Sequence, residues 1–294
     1  MVITKELEKL YPFLSHFIKI YYGKNAESDL HYLDEGEGDP VLCLHGNPTW
    51  SFFFRHLVRS LSKTHRVIVP DHLGCGLSGR PLDFSYRLAD HIANIERLAE
   101  ALQLERITLV VHDWGGAIGL GFAVKNLSRI RRLIICNSAA FLSNDIPKRI
   151  AILRSAFIND ILIRRANLFS IGALYMASAK GLKPEIKRAY LFPYDTYDKR
   201  IGVASFVKDI PGHSTHPSYG TLQDIEKQMQ FLRVPTLLLW GAKDFCFHLG
   251  FLKKWQNIFP HSETKVLPEA GHYLLEDEPV ESVAAIVKFV MASV

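Results

Sequence analysis

Apolar and polar positions alternate with a period of two in residues 17–22 (FIKIYY) and 29–34 (DLHYLD), the pattern of half-buried strands. The turn residues between them predict a hairpin. A different pattern follows. PVLCLHG (40–46), RVIVPD (66–71), ITLVVHD (107–113) and RLIICNS (132–138) are nearly continuous apolar runs, as in parallel strands covered on both faces. Helix-period sequence separates them at 51–62, 88–102 and 115–126. From Ala139 to Gly220 the pattern is helical, with no buried-strand run. The alternation resumes with VPTLLLWG (234–241), a helix through GFLKKWQNIF, the strand TKVLP (264–268) and a last helix from Pro279. Strands alternating with helices predict a mostly parallel eight-stranded sheet with helices on both faces. The insertion divides the chain into a core of 1–138 and 221–294 and a helical cap of 139–220, seated over the carboxyl ends of the strands, where open α/β sheets bind ligands.

Charge supports that division. The net charge is a mild +5, but the segment Ala139–Tyr219 holds twelve Lys/Arg against six Asp/Glu, whereas the remainder is nearly balanced at 23 against 24. The surplus gives no reason to expect nucleic acid. Its arginines at 154, 164 and 165, set among apolar residues, leave contact with an anionic membrane surface or a protein complex open. Those charges also break the most apolar stretch, so a membrane span is not expected. The N-terminus lacks the basic start, apolar core and cleavage site of a secretory signal. Cys43, Cys75, Cys136 and Cys246 have neither metal-ligand nor disulfide spacing, and reduced thiols in a cytoplasmic protein are the expectation.

Gly74, Gly76 and Gly79 match G-x-G-x-x-G after a strand, but Arg80–Pro81 follows instead of a helix, so this is read as a glycine-rich loop.

The chemistry centres on VVHDWGGAIGL (110–120). A strand, a sharp turn and a glycine-rich helix form the setting of a nucleophile elbow, and Asp113 stands where many hydrolases carry serine. A carboxylate is already an anion at neutral pH and needs no base before it attacks. It suits displacement of a leaving group from sp³ carbon, which leaves an ester on Asp113. Hydrolysing that ester calls for a base, an orienting acid and an oxyanion hole. Asp244, just past a strand, and His272, before the last helix, follow in the order nucleophile, acid, histidine. The oxyanion donors are expected from the backbone after Asp113 and in the HGNP turn. The Trp114 indole and the Asn47 amide are neutral N–H donors suited to a weakly basic departing anion such as a halide. No cofactor and no metal are called for. His45 is expected to bond nearby backbone, His112 to point away from Asp113, and His213 and His216 to border the cap's entrance.

HGNPTWSFFFR, VHDWGG, WGAKDF and AGHYLLEDEP closely resemble the haloalkane dehalogenases of the α/β-hydrolase fold, and the resemblance spans essentially the whole chain, cap included. It implies Asp113 as nucleophile, His272 as base, and Trp114 with Asn47 as the halide-stabilising pair. Some members carry the acid after the strand that precedes the cap; ICNSAAF offers Asn137 there, so Asp244 takes that role. None of the four tryptophans lies in 139–220, so Asn47 stands in for a cap tryptophan. This combination looks like the family's third subgroup, which overlaps with β-lactone decarboxylases of bacterial long-chain olefin biosynthesis; DFCF, PYD and DIPGHSTHPSY look like that branch too. The implied substrate is a haloalkane or a long-chain β-lactone. Dehalogenation is the leading reading and lactone decarboxylation its alternative. An epoxide hydrolase, using two of Tyr175, Tyr190, Tyr194 and Tyr197, is a further rival, as is a binding or assembly protein on the same fold.

Overall fold

The computed structural model describes residues 5–22 and 26–292. Eight strands form one sheet: β1 (His16–Tyr22), β2 (Ala26–Glu35), β3 (Pro40–Leu44), β4 (Arg66–Pro70), β5 (Ile107–Asp113), β6 (Ile130–Ser138), β7 (Thr236–Gly241) and β8 (Glu263–Leu267). Their order is β1-β2-β4-β3-β5-β6-β7-β8. β2 is antiparallel to both of its neighbours, and every other pairing is parallel. The predicted hairpin is β1–β2, although residues 23–25 of its turn lie outside the described residues.

All seven residues of β5 are buried, which explains its unbroken apolar run. Because successive side chains leave a strand on opposite faces, Leu109 and Val111 join one core with Ile118 and Trp255, while Val110 joins a second with Trp50, Phe53 and Ile286. The helices that cover the sheet are α1 (Lys5–Leu10), α2 (Arg55–Leu61), α3 (Leu88–Ala101) and α4 (Trp114–Lys125); α5 (Leu168–Met176), α6 (Pro184–Leu191), α7 (Ile201–Lys208) and α8 (Pro217–Gln228) lie between β6 and β7, and α9 (Leu249–Ile258) and α10 (Pro279–Met291) complete the set.

One helix boundary differs from the sequence pattern, and one expected domain boundary lies inside a helix. The helix expected at 51–62 begins as a 3₁₀ turn, Ser51–Phe54, before α2. The tighter turn fans Phe52, Phe53 and Phe54 in three directions, and all three are fully buried. The expected cap boundary at 220 falls within α8. His216 caps that helix by accepting from the Ser218 N–H, and Leu222 and Ile225 bury in the same core as Ile92 of α3. Among the described residues, no helix is long and apolar enough to cross a membrane.

Candidate active site

The turn after β5 sets the geometry. Asp113 has φ +51°, a strained conformation for a residue with a side chain, and Ser138 on β6 holds its carbonyl through a 2.6 Å hydrogen bond from Oγ. Two glycines make room for it. A Cβ on Gly115 would lie 2.0 Å from the carbonyl oxygen of Leu44, and one on Gly46 would lie 2.0 Å from Oδ1 of Asp113 itself. Oδ1 accepts a 2.6 Å hydrogen bond from the Asn47 backbone N–H, and the Trp114 N–H also bonds the carboxylate. These are the two backbone groups expected to form the oxyanion hole, and here the Asn47 N–H holds Oδ1 of the nucleophile while the Trp114 N–H faces the same carboxylate.

The structure brings Asp113, His272 and Asp244 together from the ends of β5, β8 and β7. Nε2 of His272 lies 3.6 Å from Oδ2 of Asp113, and its Nδ1 lies 2.8 Å from Oδ2 of Asp244. Asp244 accepts further bonds on Oδ1 from the N–H groups of Cys246 (2.7 Å) and Phe247 (3.1 Å). Burial pushes the Asp113 carboxyl above the ordinary carboxylate range, outweighing His272 and the two N–H donors. Burial would also raise Asp244, but His272 and the backbone donors outweigh it and hold Asp244 below that range. For His272, burial opposes the charge, yet Asp244 and Asp113 prevail and the imidazole is raised.

Three neighbours complete the arrangement. Asn137 donates to Oδ2 of Asp244 at 2.8 Å while its own Oδ1 accepts from Gly241, which locks the amide in place. Its φ of +30°, a conformation that Asn tolerates, is what aims the side chain across to β7. His112 points away from Asp113, as expected, and donates from Nε2 to the His272 carbonyl at 2.9 Å. Burial keeps this imidazole well below its usual range and therefore neutral. Sequence order singled out the ends of strands, but the support from Asn137, His112 and Ser138 depends on pairing between strands.

Asp113, Trp114, Asn47 and His272 line one wall of a cavity of about 330 Å³, whose remaining walls are mostly apolar, including Phe141, Leu153, Phe169 and Met176. The Asn47 amide is not wholly free for a leaving group: Nδ2 donates to the carbonyl of Val203 in α7 at 3.1 Å. His45 bonds Gly46 and His72 nearby, as expected. His213 and His216 do not line the cavity. Neither do Tyr175, Tyr190, Tyr194 and Tyr197: Tyr190 bonds Glu276, Tyr194 bonds the Thr49 carbonyl, Tyr197 bonds Asp160, and Tyr175 is exposed. The geometry therefore offers no support for epoxide activation by those residues. No cluster of metal-ligating side chains occurs among the described residues.

Residues 39–279 match the model of the alpha/beta hydrolase fold family. The chain belongs to the α/β-hydrolases. A cis-3-alkyl-4-alkyloxetan-2-one decarboxylase of Shewanella oneidensis is 41% identical to this α/β-hydrolase over 291 residues, covering 96% of the chain and 90% of the relative. The haloalkane dehalogenase 2 of Mycobacterium tuberculosis is 31% identical, with 95% and 96% covered. The crystal structure of the haloalkane dehalogenase DatA from Agrobacterium tumefaciens superposes with a TM-score of 0.82 at 25% identity, over 94% of this chain and 96% of that one. This α/β-hydrolase is thus an enzyme of the branch that holds both dehalogenases and oxetanone decarboxylases, rather than a bare binding scaffold.

Proposed function

We propose that the enzyme decarboxylates a cis-3,4-dialkyl oxetan-2-one, a β-lactone, to an alkene and CO₂, with Asp113 as nucleophile. The observation that carries this reading is the Asp113 carboxylate: one oxygen is seated on the Asn47 N–H, and the other is beside His272 in an apolar cavity. Oδ2 attacks the ring carbon bearing the lactone oxygen, the C–O bond breaks, and a carboxylate is freed on the neighbouring carbon. Loss of CO₂ from that carbon sends its bonding pair into a new C=C bond and expels Asp113 as carboxylate. The lactone carbons and oxygens are all accounted for, and no water is consumed. Protonated His272 stabilises the anion as it moves between the lactone and Asp113, with Asp244 fixing its ring.

The higher identity to the decarboxylase supports this choice over dehalogenation, as does the commitment of the Asn47 amide to Val203. The second reading rests on Trp114, placed on the cavity wall directly after the nucleophile. There Asp113 displaces a halide held by the Trp114 and Asn47 N–H groups, and His272 draws a proton from the water that attacks the ester, whose carbonyl oxygen is Oδ1 in the backbone grip.

We treat 139–220 as the cap and the cytoplasm as the site of action, the latter supported by four unpaired cysteines. Contact of the cap with an anionic surface is supported by Leu168, Ile171 and Tyr175, exposed at helical spacing on a basic segment.

Gas chromatography of alkene and CO₂ from a synthetic cis-dialkyl lactone, with wild type and Asp113→Asn, tests the assignment alongside bromide release from bromoalkanes. Asp113-dependent alkene formation is expected. Bromide release without alkene would transfer the assignment to dehalogenation.

A further inference from the structure

Beside the apolar cavity lies a second chamber of about 370 Å³, bordered by Asn144, Arg154, Gly212 and Tyr219. Ser143, Ile146 and Pro211 line both spaces, so the two share a wall. Arg154 is the weakly held one among the arginines of 139–220: Arg149 lies 4.0 Å over the Phe245 ring, and Arg200 donates to the carbonyls of Tyr194, Arg164, Arg165 and Asp195, so both are engaged without a carboxylate. Arg164 is 3.5 Å from Asp198, Arg165 is 2.8 Å from Asp160, and Arg188 is 2.7 Å from Glu6. Among the described residues Arg154 has no carboxylate partner, and its side-chain hydrogen bond is a long one, 3.5 Å from Nη1 to the Ile210 carbonyl. Its guanidinium rests on Gly212, where a Cβ would lie 2.4 Å from Nη2. Glycine therefore keeps the space that lets this half-buried cation face the chamber.

A guanidinium carries five donors in a planar fork that matches a carboxylate. We infer that this chamber is a carboxylate-binding subsite, in which Arg154 holds the head of a long-chain carboxylic acid while its alkyl chain reaches past Ile146 and Pro211 into the apolar cavity. On the function proposed above, the ligand class has a definite member. Opening the β-lactone with water gives the 3-hydroxy acid of the same carbon skeleton. Such an acid would occupy the cavity without reacting at Asp113 and would act as a competitive inhibitor.

The test uses binding rather than turnover, so its outcome is separate from the fate of the lactone reading. Isothermal titration of decanoate and decanol into wild type, Arg154→Gln and Arg154→Lys gives the preference for acid over alcohol in each. Arg154→Gln is expected to weaken decanoate about tenfold to a hundredfold, the loss of one charge-assisted pair, and to leave decanol unchanged. Arg154→Lys is expected to retain part of the preference. Equal decanoate affinity in wild type and Arg154→Gln, or no decanoate binding to wild type, overturns the subsite. If Arg154→Gln loses both ligands, Arg154→Lys decides: restored preference for the acid supports the subsite, and alcohol binding without that preference overturns it.

Discussion

Asn47 grips Asp113 through its backbone and α7 through its side chain. Its N–H is 2.6 Å from Oδ1 of Asp113, and its Nδ2 is 3.1 Å from the Val203 carbonyl. One residue therefore ties the nucleophile to the position of α7.

Asn47→Ala separates the two functions, because the backbone N–H remains. If the amide also stabilises the departing anion, kcat falls by about 10²–10³, the usual effect of removing one donor to a developing charge. KM should change much less. Steady-state kinetics check this, and a loss below about threefold would confine the side chain to holding α7.

The pH dependence distinguishes the two chemistries. Water-driven hydrolysis of an Asp113 ester needs Nε2 of His272 free of its proton. In that ester Asp113 is uncharged, so Asp244 alone supports the proton on His272 against burial, and hydrolytic turnover should climb as pH passes through the histidine range. Alkene formation consumes no water and lacks that requirement. Its acid limb follows Asp113, which burial raises above 3.8. The alkene-forming rate should therefore persist to lower pH than halide-releasing turnover, as kcat–pH profiles on the two substrates would show.

Stability should reveal the same strained carboxylate. Between 3.8 and its raised folded value, Asp113 binds protons more tightly in the folded chain than in the unfolded one. Stability attributable to this group thus falls as pH rises through that window and stays reduced above it. Asp113→Asn removes the penalty with little change of shape. Thermal melts should place the variant above wild type at pH 7 and bring the two together below pH 3.8; a variant less stable than wild type at pH 7 would refute this reading of the site.

Some of this arrangement is legible in the chain and some is not. The strands can be read because β3 to β7 lie between two helical layers, so that runs such as ITLVVHD have no polar face to interrupt them. Asp113, Asp244 and His272 stand out because the first ends a strand and the others follow one, and these strand ends share one edge of a parallel sheet. Asn137 was visible only as a missing carboxylate. Its contact with Asp244 spans 107 residues and depends on β6 lying beside β7. The commitment of Asn47 to Val203 was equally hidden, since it joins the loop after β3 to α7, 156 residues away. Arg55 and Glu276 likewise reveal nothing locally.

That last pair anchors the helix that follows His272. Nη2 of Arg55 is 2.7 Å from Oε2 of Glu276, the two side chains are only 3% and 5% exposed, and the Tyr190 hydroxyl of α6 also donates to Glu276. Glu276→Gln leaves the guanidinium buried without its counter-charge. Urea unfolding should show a loss of about 3–5 kcal/mol. A loss under 1 kcal/mol would mean that water reaches Arg55 and compensates for the missing charge.

Asn137 offers a sharper test of how His272 is held. Asp244→Asn keeps the shape but removes the charge that orients and stabilises the imidazolium, and a fall in kcat of about 10⁴ is expected where proton transfer by His272 limits the rate. Asn137 lies 2.8 Å from the lost oxygen and already occupies a left-handed conformation that Asp also tolerates. Adding Asn137→Asp to Asp244→Asn moves the carboxylate from β7 to β6 across that one hydrogen bond. The Gly241 N–H would still bind the new side chain, because the bond it makes is to Oδ1, an atom the substitution preserves. The double variant should regain at least tenfold of the lost kcat, with the alkaline shift of His272 restored in its NMR titration. Asn137→Asp alone should lower stability, since it sets a second carboxylate against Asp244. Recovery of stability without recovery of kcat would show that charge near Asp244 is insufficient, and that the bond from Nδ1 of His272 must run to a carboxylate on β7 itself.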